Sequence, residues 1–379
     1  MGNENSARVG LSTARSPARK AWRPSRLWVA LGGWFWLGLS PLAQAANWYV
    51  DNAATGANNG TSWANAWSGL SSVVWGSSGV RAGDTLFLSG GSTAKVYTET
   101  WSVGASGTPG SQIRIAIDAG NPNHNGLAIF DYDAQGDTCS APYAIYCHQD
   151  YVTFDGNVGG RSHLVIRNLR NHFNRSVGCA LRGSGDGLTV RYVAITNCNN
   201  GINLSGTGET VNHCQLAGIR GDGGITFATT GEWDANTIYS NFIGCLVNFS
   251  VPPGGSGFYD GPDPIQAVSG ISIFGNRIME TGTSAVYTST QHPDIVQCTG
   301  NYVKFYNNEI INIGDSGFDY DCYANPTPHD VWIYNNVYHI TQTVDPYPEY
   351  FRLYTSMSDR PIACFYNFKI LNNTFVDCD

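Results

Sequence analysis

The strongest constraint on the fold is an internal repeat. Seven-residue segments with apolar second and seventh positions recur between residues 163 and 375. They are HLVIRNL, TVRYVAI, TVNHCQL, TIYSNFI, SIFGNRI, KFYNNEI, WIYNNVY and KILNNTF. Their ends lie 21 to 37 residues apart, a spacing typical of solenoid coils, and each begins as a short period-two strand. No segment has a 3.6-residue apolar stripe, which excludes helical repeats, and the intervals are too long and variable for the hairpins of a β-sandwich.

One position of the repeat predicts a sharp corner. From the fourth copy onward the fifth residue is always asparagine: Asn241, Asn276, Asn308, Asn336 and Asn373. Asparagine tolerates left-handed backbone and bonds its own turn. In stacked coils these side chains would lie about 4.8 Å apart and hydrogen-bond along the stack. The sequence therefore predicts an all-β fold, a single-stranded right-handed parallel β-helix.

The two ends of the repeat array differ in whether the sequence predicts a cap. Residues 61–74 place two tryptophans, a leucine and a valine on one helical face, which predicts a short N-terminal helix capping the first coil. The chain stops at Asp379, four residues after the last copy, so we expect a truncated or uncapped C-terminus.

The first 45 residues read as an export signal. Six basic residues and one acid precede a 13-residue apolar run at 27–39, followed by Ala43-Gln44-Ala45. This pattern predicts a signal peptide over 1–45, a β-helix domain over 46–379 and a secreted location, extracellular or periplasmic. A retained membrane anchor is the alternative. After cleavage we expect no membrane contact.

Charge and cysteine content limit the partners and crosslinks. Residues 46–379 carry 15 basic and 28 acidic side chains, which disfavours nucleic-acid binding. Secretion permits disulfides, and Cys139/Cys147 and Cys364/Cys378 are close enough in sequence to pair. Alternatively, isolated cysteines serve as small core residues.

A family resemblance supports the same fold. The opening WYVDNAATGANNGTSWANAW, then RAGDTLFLSGG and SGTPGSQIRIAIDAG, resembles the N-terminal part of secreted right-handed β-helix proteins of the pectate-lyase-like superfamily. The superfamily includes lyases, hydrolases, epimerases and binding proteins, so the resemblance implies fold and secretion more than activity. The signature motifs of polygalacturonases and typical pectate lyases are absent from this sequence, and a Gly-Phe-Asp segment at 317–319 only partly matches alginate epimerases.

Candidate chemistry concentrates where the coils lengthen. Beyond residue 243 the intervals carry clustered acids, and the register would bring Asp263 and Asp294 onto adjacent coils. Repelling carboxylates suit Ca²⁺, so we predict a calcium site of Asp263, Asp294 and Asp319 or Asp321. Loop aspartates as turn formers are the alternative.

The remaining site candidates complete a lyase mechanism. A base, His292, His329 or Lys304, would abstract the proton beside a uronate carboxylate, and Arg277 would hold the acid group. Six arginines could form a cationic stripe for an acidic glycan: Arg161, Arg167, Arg170, Arg175, Arg182 and Arg191. Of these, Arg167, Arg182 and Arg191 are the predicted substrate-binding residues.

The sequence thus favours a monomeric lyase acting on an acidic polysaccharide by calcium-assisted β-elimination. One alternative is a non-catalytic carbohydrate-binding or surface β-helix. The other is a uronan C5-epimerase or a glycoside hydrolase on the same scaffold.

Overall fold

A computed structural model describes the chain from residue 44 onward. The described ranges are 44–171, 174, 177–221, 223–228, 232–247, 262–282, 293–321, 328–343, 349–354 and 365–376. Most of the predicted signal peptide lies outside these ranges, as do His292, Cys322, Cys364 and Cys378. Within these ranges, no helix is long and apolar enough to cross a membrane.

Three long sheets of 11, 10 and 9 strands make up the fold. From residue 85 onward the chain visits the three sheets in turn, so that neighbouring strands in each sheet come from successive coils. The neighbouring strands pair in parallel throughout these sheets. This is the predicted right-handed parallel β-helix, whose hand is that of nearly all parallel crossovers.

The strands divide among the sheets as follows. The eleven-stranded sheet contains Asn47–Val50, Thr85–Leu88, Ile113–Ile117, Val152–Asp155, Thr189–Arg191, Thr210–Asn212, Asn236–Tyr239, Ile271–Phe274, Val303–Tyr306, His329–Tyr334 and Tyr366–Leu371. The ten-stranded sheet contains Ala94–Tyr97, Leu127–Asp131, Leu164–Arg167, Val193–Thr196, Gln215–Ile219, Phe242–Val247, Arg277–Gly282, Glu309–Ile313, Val337–Thr343 and Thr374–Val376. The nine-stranded sheet contains Trp101–Ser102, Tyr143–Cys147, Cys179–Gly183, Asn200–Leu204, Gly223–Phe227, Asp263–Ala267, Val296–Cys298, Asp319–Asp321 and Arg352–Tyr354. A short antiparallel pair joins Asn157–Val158 to Arg161–Ser162.

The apolar positions of the repeat fill the interior. Its second position forms a registered column of Ile238, Ile273, Phe305 and Ile333, all at most 1% exposed. The seventh position forms a second buried column in the ten-stranded sheet. Each such side chain contributes roughly 1.5–3 kcal/mol by burial. The interior is therefore one continuous apolar column that follows the coils.

Each repeat segment spans one corner of the coil, with one exception. Positions one to three lie in the eleven-stranded sheet and positions six and seven in the ten-stranded sheet for the last seven copies. The first copy, at residues 163–169, is out of register, because Leu164 pairs with Val193 and its strand belongs to the ten-stranded sheet alone.

The predicted asparagine column is confirmed. Each side-chain oxygen accepts both the main-chain N–H and the amide group of the preceding asparagine, at 3.0 Å in every rung from Asn241 to Asn373. The side-chain amides also donate to main-chain carbonyls of the preceding coil. The column thus satisfies buried polar groups at a corner where strand pairing is interrupted.

The left-handed residue at this corner is not the column asparagine itself. Positive φ occurs one position earlier, at Ser240, Gly275, Asn307, Asn335 and Asn372, with values between 52° and 62°. Two neighbouring residues therefore have separate roles at the corner. One residue reverses the backbone, and the next fills the hydrogen-bonding positions that the reversal leaves open.

The predicted capping helix takes a different form. Residues 61–74 contain two single turns of 3-10 helix, Trp63–Asn65 and Leu70–Ser72, separated by extended backbone at Gly69. Trp67 exchanges main-chain hydrogen bonds with the first strand, which prevents a continuous helix. Trp67 and Leu70 are nevertheless buried, at 2% and 1% exposure. Two more 3-10 turns lie at Gly76–Ser78 and Asp133–Gln135.

Five cysteines are buried free thiols: Cys139, Cys147, Cys179, Cys198 and Cys214. The expected pairing of Cys139 with Cys147 is wrong, because the extended strand Tyr143–Cys147 carries the second thiol away from the corner that holds the first. The alternative of small core residues is the one that the structure supports. Burial raises the pKa of the Cys147 thiol to about 12, so it stays protonated and unreactive.

Candidate functional site

A column of polar side chains follows the outer face of the nine-stranded sheet. The residues preceding them, such as Leu181 and Ile265, point into the core, so alternation turns the polar residues outward. Successive pairing places them in one line. We define this polar column as Arg182, Asn203, Thr226, Gln266, Gln297, Asp319 and Arg352. Arg182 is exposed at one end, and the amide and hydroxyl side chains between the ends are partly exposed.

An acid cluster lies at the other end of the polar column. Asp263, Asp294, Asp315 and Asp319 are each at most 5% exposed. Asp263 accepts the main-chain N–H of Asp294 at 2.9 Å and the Gln266 amide at 2.8 Å. Asp294 also accepts the Ser316 hydroxyl at 2.7 Å. The predicted proximity of Asp263 and Asp294 on adjacent coils is therefore observed.

Arg352 joins three members of this acid cluster. Its Nε and Nη2 donate to the two oxygens of Asp319 at 3.0 and 3.2 Å. Its Nη2 also contacts Asp294 at 3.3 and 3.4 Å, and Nη1 donates to Asp315. These carboxylates raise the pKa of Arg352 further above its already high value, although its burial acts in the opposite direction. The guanidinium is therefore fully charged and held in one orientation.

A fifth acid approaches the cluster from the interior. Glu280 follows the core residue Ile278 by two positions in a strand of the ten-stranded sheet, so alternation turns it inward. It is 1% exposed, and in the described part of the chain its carboxyl group has no side-chain hydrogen-bond partner. The Gly314 main chain lies beside it and favours the ionised form. Burial, followed by the charges of Asp263 and Asp294, raises the pKa of Glu280 well above its usual range. The buried site therefore favours the neutral form of the Glu280 carboxyl group.

The acid cluster lies where coil connections are long. Residues 248–261, 283–292 and 344–348 each lie between a strand of the ten-stranded sheet and the next strand of the nine-stranded sheet. The described acids Asp263 and Asp294 follow the first two of these segments closely. The predicted association of long connections with clustered acids is thus found on one sheet.

The three predicted substrate-binding arginines lie in three different sheets. Only Arg182 belongs to the polar column. Arg167, in the ten-stranded sheet, pairs with Asp131 at 2.7 Å, and Arg191, in the eleven-stranded sheet, pairs with the buried Asp155 at 2.6 Å. These arginines do not form one stripe, because coil residues that are near in sequence fall on separate faces.

The predicted bases and Arg277 also divide among the sheets. Arg277 is 58% exposed on the ten-stranded sheet, 3.2 Å from Glu309. Lys304, on the eleven-stranded sheet, pairs with Asp234 at 2.6 Å and lies 4.9 Å from the Trp233 ring centre. His329, on the same sheet, contacts Asp330 at 2.8 Å. None of the three belongs to a strand of the nine-stranded sheet. His292 lies outside the described residues, two positions before Asp294.

The predicted calcium ligands are only partly suited to a metal. Asp263, Asp294 and Asp319 come together, whereas Asp321 stands two residues beyond Asp319 on the same strand. The described ranges contain no group of three or more His, Cys, Asp or Glu side chains placed to hold one metal ion. Arg352 accounts for this, since the oxygens of Asp294, Asp315 and Asp319 are spread around a planar guanidinium rather than aimed at one point.

The sequence did not predict two residues of the site, Arg352 and Glu280. Arg352 pairs in register with Asp319, and the segments FDYD and FRLY that contain them both begin with a phenylalanine, a weak signal of alignment. Glu280 occupies an inward position two residues after Ile278, just beyond the seven positions of the repeat. An acid at a core position is the signal that could have identified it.

Comparison with known proteins adds information on the fold. No protein-family model matches the chain, and a search of curated proteins finds no relative. Among solved structures, the chain is similar to the pectate lyase Pel9A, with a TM-score of 0.54 at 16% identity over 82% of this chain and 75% of that one.

Two further structures are more distant. An alginate lyase from Paenibacillus sp. str. FPU-7 has a TM-score of 0.49 at 14% identity, over 77% of this chain and 93% of that one. A GH136 lacto-N-biosidase from Eubacterium ramulus has a TM-score of 0.44 at 13% identity, over 87% and 68%. The likeness to the pectate lyase shows the fold, and the chain is a parallel β-helix protein with the pectate-lyase-like architecture.

Proposed function

We propose that this protein binds an acidic polysaccharide along the polar column and cleaves it as a lyase, outside the cytoplasm. The polar column is the observation that carries the proposal. It presents one outward polar side chain per coil at a strand spacing of about 4.8 Å. An extended polysaccharide is itself a linear repeat, so successive sugars can meet successive coils.

The chemistry of the polar column suits a uronic-acid polymer. Exposed Arg182 offers a guanidinium fork to a carboxylate, in a protein whose body is otherwise acidic. Asn203, Gln266 and Gln297 offer amides that donate to and accept from sugar hydroxyls. A neutral glycan would use the amides but could not form an ion pair with Arg182, which is why we favour an acidic substrate.

Cleavage by β-elimination requires a base at the site. The base removes the proton from the carbon beside the uronate carboxylate, the bond from the neighbouring carbon to the glycosidic oxygen breaks, and a carbon–carbon double bond forms. The departing oxygen then takes up a proton. Of the bases predicted from sequence, His292 precedes Asp294 of the acid cluster by two positions, so we assign it this role. Lys304 and His329 lie on another sheet. No step of this proposal passes through a metal ion.

Ultraviolet absorbance tests the proposal directly, because the new double bond is conjugated to the carboxylate. Purified mature protein is incubated with pectate, alginate and other acidic polymers, with calcium and with a chelator. We expect an absorbance rise on at least one polymer, lost in His292→Gln and weakened in Arg182→Gln. Arg277→Gln, a solvent-exposed arginine on the ten-stranded sheet, is the matched control and should retain activity.

A carbohydrate-binding protein without catalysis is the second candidate. The absence of Lys304 and His329 from the nine-stranded sheet favours it, since His292, two positions before Asp294 in the sequence, is then the one predicted base that the described strands do not place on another sheet. Binding to an acidic polymer with no absorbance rise and no shortening of the chains would establish this alternative. Shorter chains without a new double bond would instead indicate hydrolysis, and altered sugar composition at constant length would indicate epimerisation.

A further inference from the structure

Arg352 connects acids from successive coils into one unit. Asp294 belongs to one coil, Asp315 and Asp319 to the next, and Arg352 to the coil after that. The arginine side chain is 22% exposed. The side chains of its three carboxylate partners, taken without their main-chain atoms, are between 0% and 7% exposed. The ion pairs are therefore largely removed from water, where breaking one costs far more than at a surface.

A guanidinium and a calcium ion make opposite geometric demands. Calcium takes six to eight oxygens at about 2.3–2.6 Å around a single point. A guanidinium instead directs its N–H groups outward in a plane, toward oxygens at separate positions. The contacts of Arg352 follow the second arrangement. Nε and Nη2 donate to Asp319, Nη2 also donates to Asp294, and Nη1 donates to Asp315.

We infer that Arg352 is the built-in cation of this site, and that it takes the place of a bound divalent metal. The inference deepens the proposed function, since it concerns the same site, but its test does not depend on cleavage. Two consequences follow. The wild-type protein does not need calcium for stability, and removal of the Arg352 charge creates a divalent-cation site from carboxylates that are already close together.

The test compares Arg352→Gln with wild type, using thermal unfolding and terbium luminescence on the mature chain. Wild type should have the same Tm in chelator and in calcium. Arg352→Gln should lose about 5 °C in chelator and regain at least half of that in calcium. Its affinity for terbium should exceed that of wild type by at least about tenfold, a change of about 1.4 kcal/mol.

Matched variants keep the test decisive. Arg191→Gln also removes an arginine from a buried carboxylate, Asp155, but leaves only that one acid, still paired with Arg114 at 2.8 Å. It should show no calcium response. Asp294→Asn in the Arg352→Gln background should abolish the response. If Arg352→Gln does not fold in chelator, it should fold in calcium, and Arg352→Lys should fold in both.

Two results would overturn the inference. One is a wild-type protein that loses stability in chelator and recovers it in calcium. The other is a folded Arg352→Gln protein with no gain in calcium or terbium affinity. Absence of lyase activity would contradict the proposed function and leave these stability and binding results unaffected.

Discussion

The asparagine column offers the most quantitative test of the fold, and Asn308 is its central rung. Its side-chain oxygen accepts the main-chain N–H and the amide of Asn276, both at 3.0 Å. Its amide donates to the Ile273 carbonyl and to the Asn336 side-chain oxygen, also at 3.0 Å. Asn308 is 1% exposed, so water cannot replace these partners. Asn308→Ala removes all four bonds.

The expected loss follows from these contacts. A buried hydrogen bond contributes about 1 kcal/mol net, and a buried group left without its partner costs more. We therefore expect Asn308→Ala to lower the free energy of unfolding by about 4 kcal/mol, a large part of the roughly 5–15 kcal/mol of a typical protein. Asn373→Ala should cost less, about 2 kcal/mol, because its residue is partly exposed and makes three such contacts.

Urea unfolding followed by far-ultraviolet circular dichroism and tryptophan fluorescence measures these differences. The control is Asn307→Gly, the exposed neighbour with φ of 54°, which glycine adopts without strain. It should change stability by no more than about 0.5 kcal/mol. The expected order of loss is Asn308→Ala, then Asn373→Ala, then Asn307→Gly.

The reasoning fails if Asn308→Ala costs less than about 1 kcal/mol, or no more than Asn307→Gly. Either result would mean that the column is a by-product of coil stacking and not a source of its stability. Amide hydrogen exchange at Asn276 gives an independent reading, since its main-chain N–H loses its acceptor in the Asn308→Ala protein.

Three further predictions address charge, pairing and thiols. Burial raises the pKa of Glu209 to about 8 from 4.5, so as pH rises above 4.5 the unfolded state ionises first and the wild type loses stability until about pH 8. Glu209→Gln should therefore match wild type near pH 4 and exceed it by up to about 3 kcal/mol at pH 7, measured by urea titration; an unchanged pH profile would contradict the assigned pKa. Arg182→Gln should weaken binding of an acidic polymer in calorimetry with Tm unchanged, whereas Arg191→Gln should lower Tm and leave binding unchanged, because Arg191 pairs with the buried Asp155; equal effects on binding would remove Arg182 from the site. Iodoacetamide should label Cys139 and Cys147 only after the protein is denatured, and this labelling should need no reductant, as measured by mass spectrometry. A disulfide-linked peptide would refute the free-thiol assignment.

The fold could be derived from the sequence because its information is local and repeated. Each copy contains an apolar residue at the second and seventh positions and, in later copies, an asparagine at the fifth. Apolar alternation defines a strand, the asparagine defines a corner, and repetition with variable spacing leaves only stacked coils. The same reasoning placed Asp263 and Asp294 together, since register follows from the repeat.

The predictions from sequence were wrong where the direction of a side chain depends on which of the three sheets its residue enters. Arg167 and Arg191 are close to Arg182 in sequence, yet the chain turns through two corners between them and spreads them over three faces. The continuous helix expected at 61–74 is replaced by two separate turns for a related reason, because Trp67 pairs with the first strand.

The sequence by itself determined the parallel β-helix, the asparagine column and the neighbourhood of the acids, because these depend on periodicity along one chain. Only the tertiary structure decided what surrounds the acids. Arg352 lies 58 positions from Asp294 and contacts it because its coil stacks only two coils further along, with one coil between them. Charged side chains pair with the partners that are nearest in space. That distance depends on how the coils stack and on which sheet each residue enters, and a short pattern of residues does not contain this information.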